Sequence, residues 1–269
     1  MTIARRIGYA FAVAAVAALP FGAQAAKDSV NIAMTLEPPG LDPRANAAAA
    51  IGQIALYNIY ENLTRINQDA TVSPMLAKSW TVSDDGLVYT FKLEQGVKFH
   101  DGSDFTSADV KYTFEANAGE NSKIKRKKRF VNMAKIETPD AHTVRITLKK
   151  ARPMFLFWMG ESTAVIVDEA SAATNATKPV GTGPFKFIRW VKGDSVQMEK
   201  NAAHRSAASV KLNRVKFRFI NDQSAQIAAV LSGDLDLIPF SRAAEGLNAL
   251  KNNPKFVVSF GTTEGETIL

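Results

Sequence analysis

The chain has 269 residues, a formal net charge of +7 and no cysteine. The missing cysteines exclude disulfides, thiolate metal sites and a Cys nucleophile together, so stability has to come from core burial. With 46% hydrophobic and 22% charged residues, the composition is that of a globular protein long enough to bury a sizeable core.

Met1 to Ala25 reads as a secretory signal, with Arg5 and Arg6 as the charged region, Ile7 to Leu19 as the apolar core and Ala23-Gln24-Ala25 as the cleavage site. A transmembrane helix needs about 20 predominantly apolar residues, and this run is shorter and stops at Pro20. The expected mature start is near Ala26, and with no Cys there a lipoprotein anchor is not expected. A soluble periplasmic protein follows.

Val30 to Leu36 alternates apolar with small or polar residues and predicts a strand, whereas Ile51, Ile54, Ala55, Asn58, Ile59 and Leu63 recur at helical spacing. Trp80 to Val82 and the alternating Leu87, Tyr89, Phe91 and Leu93 flank Asp85-Gly86, which predicts a hairpin because Gly tolerates positive φ. Asp101-Gly102 predicts a second turn. Thr106-Ser107-Ala108-Asp109 has the form of a capping box at the start of a helix that buries Val110 and Phe114. Val131 to Glu137 and His142 to Leu148 predict another hairpin turning at Pro139-Asp140.

Pro153 to Met159 is an apolar cluster whose side chains are mostly assigned to packing. Trp158 is the exception to test, since an indole joins a large contact area to a hydrogen-bond donor, which suits a ligand cleft. Gly181-Thr182-Gly183-Pro184 lacks the third Gly and the Lys of a phosphate loop and reads as a tight connection into a strand. Phe185 to Trp190 and Ser195 to Lys200 form a hairpin around Gly193-Asp194, and Val215, Phe217 and Phe219 form a further strand. Asn221 or Asp222 caps a helix carrying Ile227, Val230 and Leu231, and Gly233 ends it. Leu235 to Ile238 is a short strand, Ala243 to Asn252 a helix and Phe256 to Phe260 a strand. The alternation gives an α/β, mixed α+β fold: a mixed sheet with helices packed on it.

Chemistry is sparse. His100, His142 and His204 stand far apart, and His100 beside Asp101 is better explained by the turn than by a metal pair or a general base. No His-Glu-x-x-His, Gly-x-Ser-x-Gly or phosphate loop is present. Lys123 to Arg129 is the most charged run; a phosphate-binding patch is one reading, but a solvated surface loop is preferred, because secretion removes the nucleic acid.

The linear order Leu76-Ala77-Lys78-Ser79-Trp80, Asp84 to Leu93, Gly96 to Gly102 and Thr106 to Phe114 resembles the peptide, nickel and oligosaccharide-binding family of ABC-transporter substrate-binding proteins. Leu41-Asp42-Pro43, Asn58 to Leu63, Gly181 to Phe185, Lys192-Gly193-Asp194 and Ala229 to Asp236 agree, so the resemblance spans Val30 to Leu269. Asn62 and Ala70 stand where the family usually has Gly. The resemblance implies a periplasmic-binding-protein type II-like lobe with residues 26–79 and 180–269 as a first lobe, residues 80–179 as a hairpin-rich inserted subdomain, and the second lobe missing, since family members are expected to be roughly twice this long.

It further implies a receptor for peptides or similar oligomeric solutes, working with the membrane permease subunits of an ABC importer. A monomer is expected, with no chemistry, no cofactor and no nucleic-acid partner. In the family, residues shortly after Leu-Asp-Pro run along the cleft, which here points to Asn46, Ala47, Ala48 and Ala49; small side chains there fit a bulky ligand or simply a helix start. Thr182 is implied as a further contact. The rival readings are a non-transport periplasmic interaction or chaperone-like module, and a secreted hydrolase dependent on His100.

Overall fold

A computed structural model of the chain describes residues 27–46, 48–240 and 244–259. The expected signal segment and Ala47 lie outside the described residues. In chain order the elements are β1 (Ser29–Met34), α1 (Ala49–Ala55), β2 (Thr64–Ile66), β3 (Val72–Pro74), β4 (Ala77–Val82), β5 (Val88–Leu93), α2 (Ser107–Ala118), α3 (Lys128–Val131), β6 (Met133–Asp140), β7 (Thr143–Leu148), α4 (Phe155–Trp158), β8 (Phe185–Val191), β9 (Ser195–Lys200), β10 (Arg214–Phe219), α5 (Gln223–Ser232) and α6 (Ala244–Lys251).

They build two main sheets. The first has the order β1-β10-β9-β8, with β1 parallel to β10 and the other pairs antiparallel. The second is wholly antiparallel, in the order β4-β5-β7-β6. Strands β2 and β3 form a small separate ribbon.

Each sheet has its own core, as its alternation demands. On β5, Tyr89, Phe91 and Leu93 turn inward to meet Phe105, Phe114, Phe130, Val144, Ile146 and Phe155. Against the first sheet, Val196, Met198, Val215 and Phe217 pack on Leu41, Ile51, Ile54, Ile59 and Tyr60. A smaller cluster joins Ala33 to Ile227, Val230, Leu235 and Leu250 under α5 and α6.

Local signals set the element ends. The capping box forms as expected: the Ala108 amide donates to Thr106 Oγ1 at 3.2 Å, and Asp109 accepts from the Thr106 amide at 2.7 Å. Asp222 caps α5 by accepting from the Ala225 amide at 2.7 Å, and Gly233 closes that helix in the left-handed region at φ 86°.

Three expectations are corrected. The helix expected through Leu63 ends at Ala55, because the Asn58 and Ile59 carbonyls are taken by Phe185 and Gly183 amides instead of by a next helical turn. The strand expected at Leu235 to Ile238 shrinks to one parallel bridge, Ile32 to Leu237, beside β1. Residues Phe256 to Ser259 carry no strand, and Phe260 lies outside the described residues.

The two family departures have physical accounts. Asn62 is fully buried and its amide donates to the Met159 and Glu161 carbonyls at 3.0 and 2.8 Å, so the side chain staples two segments. Ala70 sits at φ 62°, a conformation that costs a non-glycine residue roughly 1–2 kcal/mol.

Candidate solute site

Two structural features bear on a solute site: a cavity and a buried polar network. The cavity, about 380 Å³, is walled on one side by Pro43, Asn46, Ala48, Ala49 and Gly52 and on the other by Lys125, Arg126, Phe157, Glu161, Ser162 and Thr163. Asn46 turns back on its own backbone, its Oδ1 accepting from the Ala48 amide at 2.9 Å; Ala48 caps α1 and Ala49 opens it. These alanines are therefore a helix start and a cavity wall at once.

Across the cavity the segment after α4 is fixed at several points. Tyr57, at φ 60°, donates its hydroxyl to the Gly160 carbonyl at 2.6 Å and accepts from the Ile66 amide at 2.9 Å. Burial raises its phenol above the usual value. Glu161 receives guanidinium groups from both Arg126 and Arg129, and Arg129 also lies 4.5 Å above the Trp158 ring. The basic run is thus only partly a solvated loop: Arg126, held at φ 68°, and Arg129 fold back onto this wall. Non-glycine residues held in that region are found preferentially at binding and switch sites.

The structure brings Asn46, Ala48 and Ala49 to the cavity but not Trp158 or Thr182. Trp158 is partly buried against the core of the second sheet, and its neighbour Phe157 lines the cavity instead. Sequence spacing marked that apolar cluster without saying which side chain faces out. Larger hollows, about 510 Å³ over the first sheet at Asn31, Arg189 and Lys216, about 700 Å³ at the β2–β3 turn and about 400 Å³ beside α2 and β6 at Phe114 and Ile136, hold none of the site residues expected from sequence.

Thr182 belongs to the buried network. Its hydroxyl donates to Glu61 Oε2 at 3.0 Å, and Arg205 grips the same carboxylate with two N–H donors at 2.7 and 2.6 Å. His204 stands 3.4 Å from Glu61 Oε1. Burial pushes the Glu61 carboxyl up, but the hydrogen bonds and charges of His204 and Arg205 outweigh it and leave the acid below its ordinary value. Nothing in local sequence linked Glu61 to Arg205; the contact is made only by folding.

Beside this network, the Gly181–Gly183 turn runs against the Asn58–Ile59 backbone. A Cβ on Gly181 would lie 2.1 Å from the Ile59 oxygen, and one on Gly183 would lie 2.3 Å from the Asn58 oxygen. These glycines serve close backbone approach rather than phosphate binding. His100 clamps the turn: Nε2 meets the Gly183 carbonyl at 2.9 Å and Nδ1 the Gly181 amide at 3.4 Å. That pattern assigns the neutral tautomer with Nε2 as donor and Nδ1 as acceptor.

The clamp makes the fold acid-sensitive. Burial, followed by the nearby Lys186 charge, depresses the His100 pKa from 6.5 to about 4, with the Gly183 bond opposing. A group with a depressed folded pKa stabilises fully above its unfolded value and loses that contribution as pH falls. Urea unfolding followed from pH 7.5 to pH 4 is expected to show up to about 3 kcal/mol of loss through this histidine. His100→Gln flattens that slope. An unchanged slope in the variant refutes the assignment.

Among the described residues no group of His, Asp and Glu is arranged to hold a metal, and no helix is long and apolar enough to cross a membrane.

Residues 71–269 match the profile described as bacterial extracellular solute-binding proteins, family 5 Middle. The chain is 34% identical over 266 residues to the glutathione-binding protein GsiB of Pectobacterium atrosepticum, covering 96% of this chain and 50% of that protein. Among solved structures, it is similar to NikZ from Campylobacter jejuni in complex with Ni(L-His), at 30% identity and TM-score 0.74, over 85% of this chain and 46% of that one. It is also similar to the ABC transporter-associated periplasmic binding protein DppA from Helicobacter pylori in complex with the peptide STSA, at 28% identity and TM-score 0.76, over 84% and 49%. The chain spans about half the length of the curated relatives it matches. On this match it belongs to the family 5 bacterial extracellular solute-binding proteins.

Proposed function

We propose that the chain supplies one wall of the solute site in a periplasmic receptor of an ABC importer, taking peptides or similar oligomeric solutes and delivering them to a membrane permease. Residues 26–79 and 180–269 act as a lobe and residues 80–179 as an inserted subdomain. The protein works as a monomer, binds no nucleic acid and catalyses no reaction. The observation that carries the reading is the cavity, where Asn46, Ala48 and Ala49 face Phe157, Ser162 and Thr163. Alanines at a cavity rim leave room for an extended ligand held by main-chain hydrogen bonds, a mode that specifies side chains weakly.

The cavity is open to solvent, so affinity is expected to be weak. Titration of isotope-labelled protein with trialanine, followed by amide NMR shifts, is the matching test. Shifts at Asn46, Gly52, Phe157 and Thr163, with the peptide recovered intact, support the reading. Cleaved peptide, or shifts confined to other surfaces, refutes it.

A further inference from the structure

We infer that this cavity selects anionic solutes, by offering Lys125 to a ligand carboxylate; the inference rests on the solute-site reading above and narrows it to a substrate class.

The charge balance on the cavity wall is the first support. Glu161 is the one carboxylate among the lining residues, and it is already shared by the guanidinium groups of Arg126 and Arg129. Lys125 lines the same cavity, is exposed, and pairs with no carboxylate among the described residues. Its ammonium is left with three donors and no anion. Positive charge therefore outweighs negative charge where a ligand would sit, and low-dielectric walls focus that excess.

The second support is independent of charge. Thr163 also lines the cavity and is buried, yet its Oγ1 finds no hydrogen-bond partner. Buried hydroxyls left unpaired are uncommon and cost free energy until something satisfies them. A side-chain rotation that turns this O–H into the cavity would give it a ligand oxygen as acceptor. Phe157, in the same lining, offers an apolar surface to the body of the ligand.

The third is rigidity. Arg126 is held in a left-handed conformation, and Asn62 and Tyr57 pin the backbone at Met159 to Glu161. A preorganised wall loses little entropy on binding, so a charge-assisted hydrogen bond there keeps most of its strength.

The carboxylate has two possible sources, an acidic side chain or a free chain terminus, and three probes separate them. They are blocked Ala-Gln-Ala with an acetyl and an amide end, the same peptide with Glu in place of Gln, and acetyl-Ala-Gln-Ala with a free carboxyl end. Amide NMR titration at low salt is expected to show one of the two anionic probes binding at least about tenfold more tightly than the neutral one, as fits a single charge-assisted contact. Lys125→Gln should reduce that preference to about twofold or less without altering the folded spectrum, and added salt should erode it in the parent protein.

Equal binding of all three probes overturns the charge selectivity while leaving the solute site standing. Tighter binding of the neutral probe overturns it as well. If no probe shifts the cavity amides, the solute-site reading itself falls, and this inference with it.

Discussion

Arg205→Ala is expected to lose about 3–5 kcal/mol of stability, the cost of leaving a buried carboxylate uncompensated. Glu61 is almost inaccessible, with its side chain 2% exposed, and Arg205 grips it with two N–H donors. Removing the guanidinium leaves His204 at 3.4 Å and the Thr182 hydroxyl at 3.0 Å, too little to offset desolvation of the charge. The sign with pH is defined. In the parent the Glu61 carboxyl sits below its ordinary value, so its contribution is present above that value and lost as pH falls.

In the variant burial is no longer outweighed and the acid moves up, so the stability gap between parent and variant widens as pH rises from 4 to 8. Urea unfolding at several pH values measures that gap. Adding Glu61→Gln to Arg205→Ala should restore part of the loss, because the second change removes the orphaned charge. Arg205→Lys should fall between, since an ammonium cannot reproduce the fork. A cost under about 1 kcal/mol for Arg205→Ala, typical of an exposed ion pair, contradicts the account.

Gly181→Ala is expected to cost more than about 4 kcal/mol, a large fraction of the stability of a domain. The new methyl would sit 2.1 Å from the Ile59 oxygen and 2.8 Å from its carbon, and both are backbone atoms held by the Gly183 amide bond to the same carbonyl. Gly193→Ala is the control. That glycine has φ 74° with nothing within 4 Å of where a methyl would stand, so only the left-handed penalty of roughly 1–2 kcal/mol applies. Thermal and urea unfolding of the pair separate steric exclusion from conformational strain. Equal costs would mean that the Asn58–Ile59 segment can move away, and the junction would then be looser than its hydrogen bonds imply.

What the sequence made legible was local. The Thr106 capping box, the inward row of Tyr89, Phe91 and Leu93, the Gly193 hairpin and the Asp222 and Gly233 ends of α5 depend on residues a few positions apart, and all form. The end of α1 was not legible, because it is set by hydrogen bonds from Gly183 and Phe185 more than a hundred positions downstream. The Gly181–Gly183 turn was recognisable as a tight connection, yet the backbone it approaches was not.

The same division holds at the site. The motif order placed Asn46, Ala48 and Ala49 on a cavity, since Leu41-Asp42-Pro43 anchors them through the Arg44 fork on buried Asp42. Phe157 was missed in favour of Trp158, because a short apolar run does not reveal which side faces solvent and α4 is only one turn long. Thr182 was offered as a ligand contact while its hydroxyl is occupied by Glu61, a partner 121 positions away.

The most direct measurement is a crystal structure of the protein grown with a short peptide at high concentration. The account predicts peptide density along Asn46, Ala48 and Ala49, beside Phe157 and Thr163, with its bonds intact. Density enclosed on every side by this chain, located in another hollow, or split into products would contradict it.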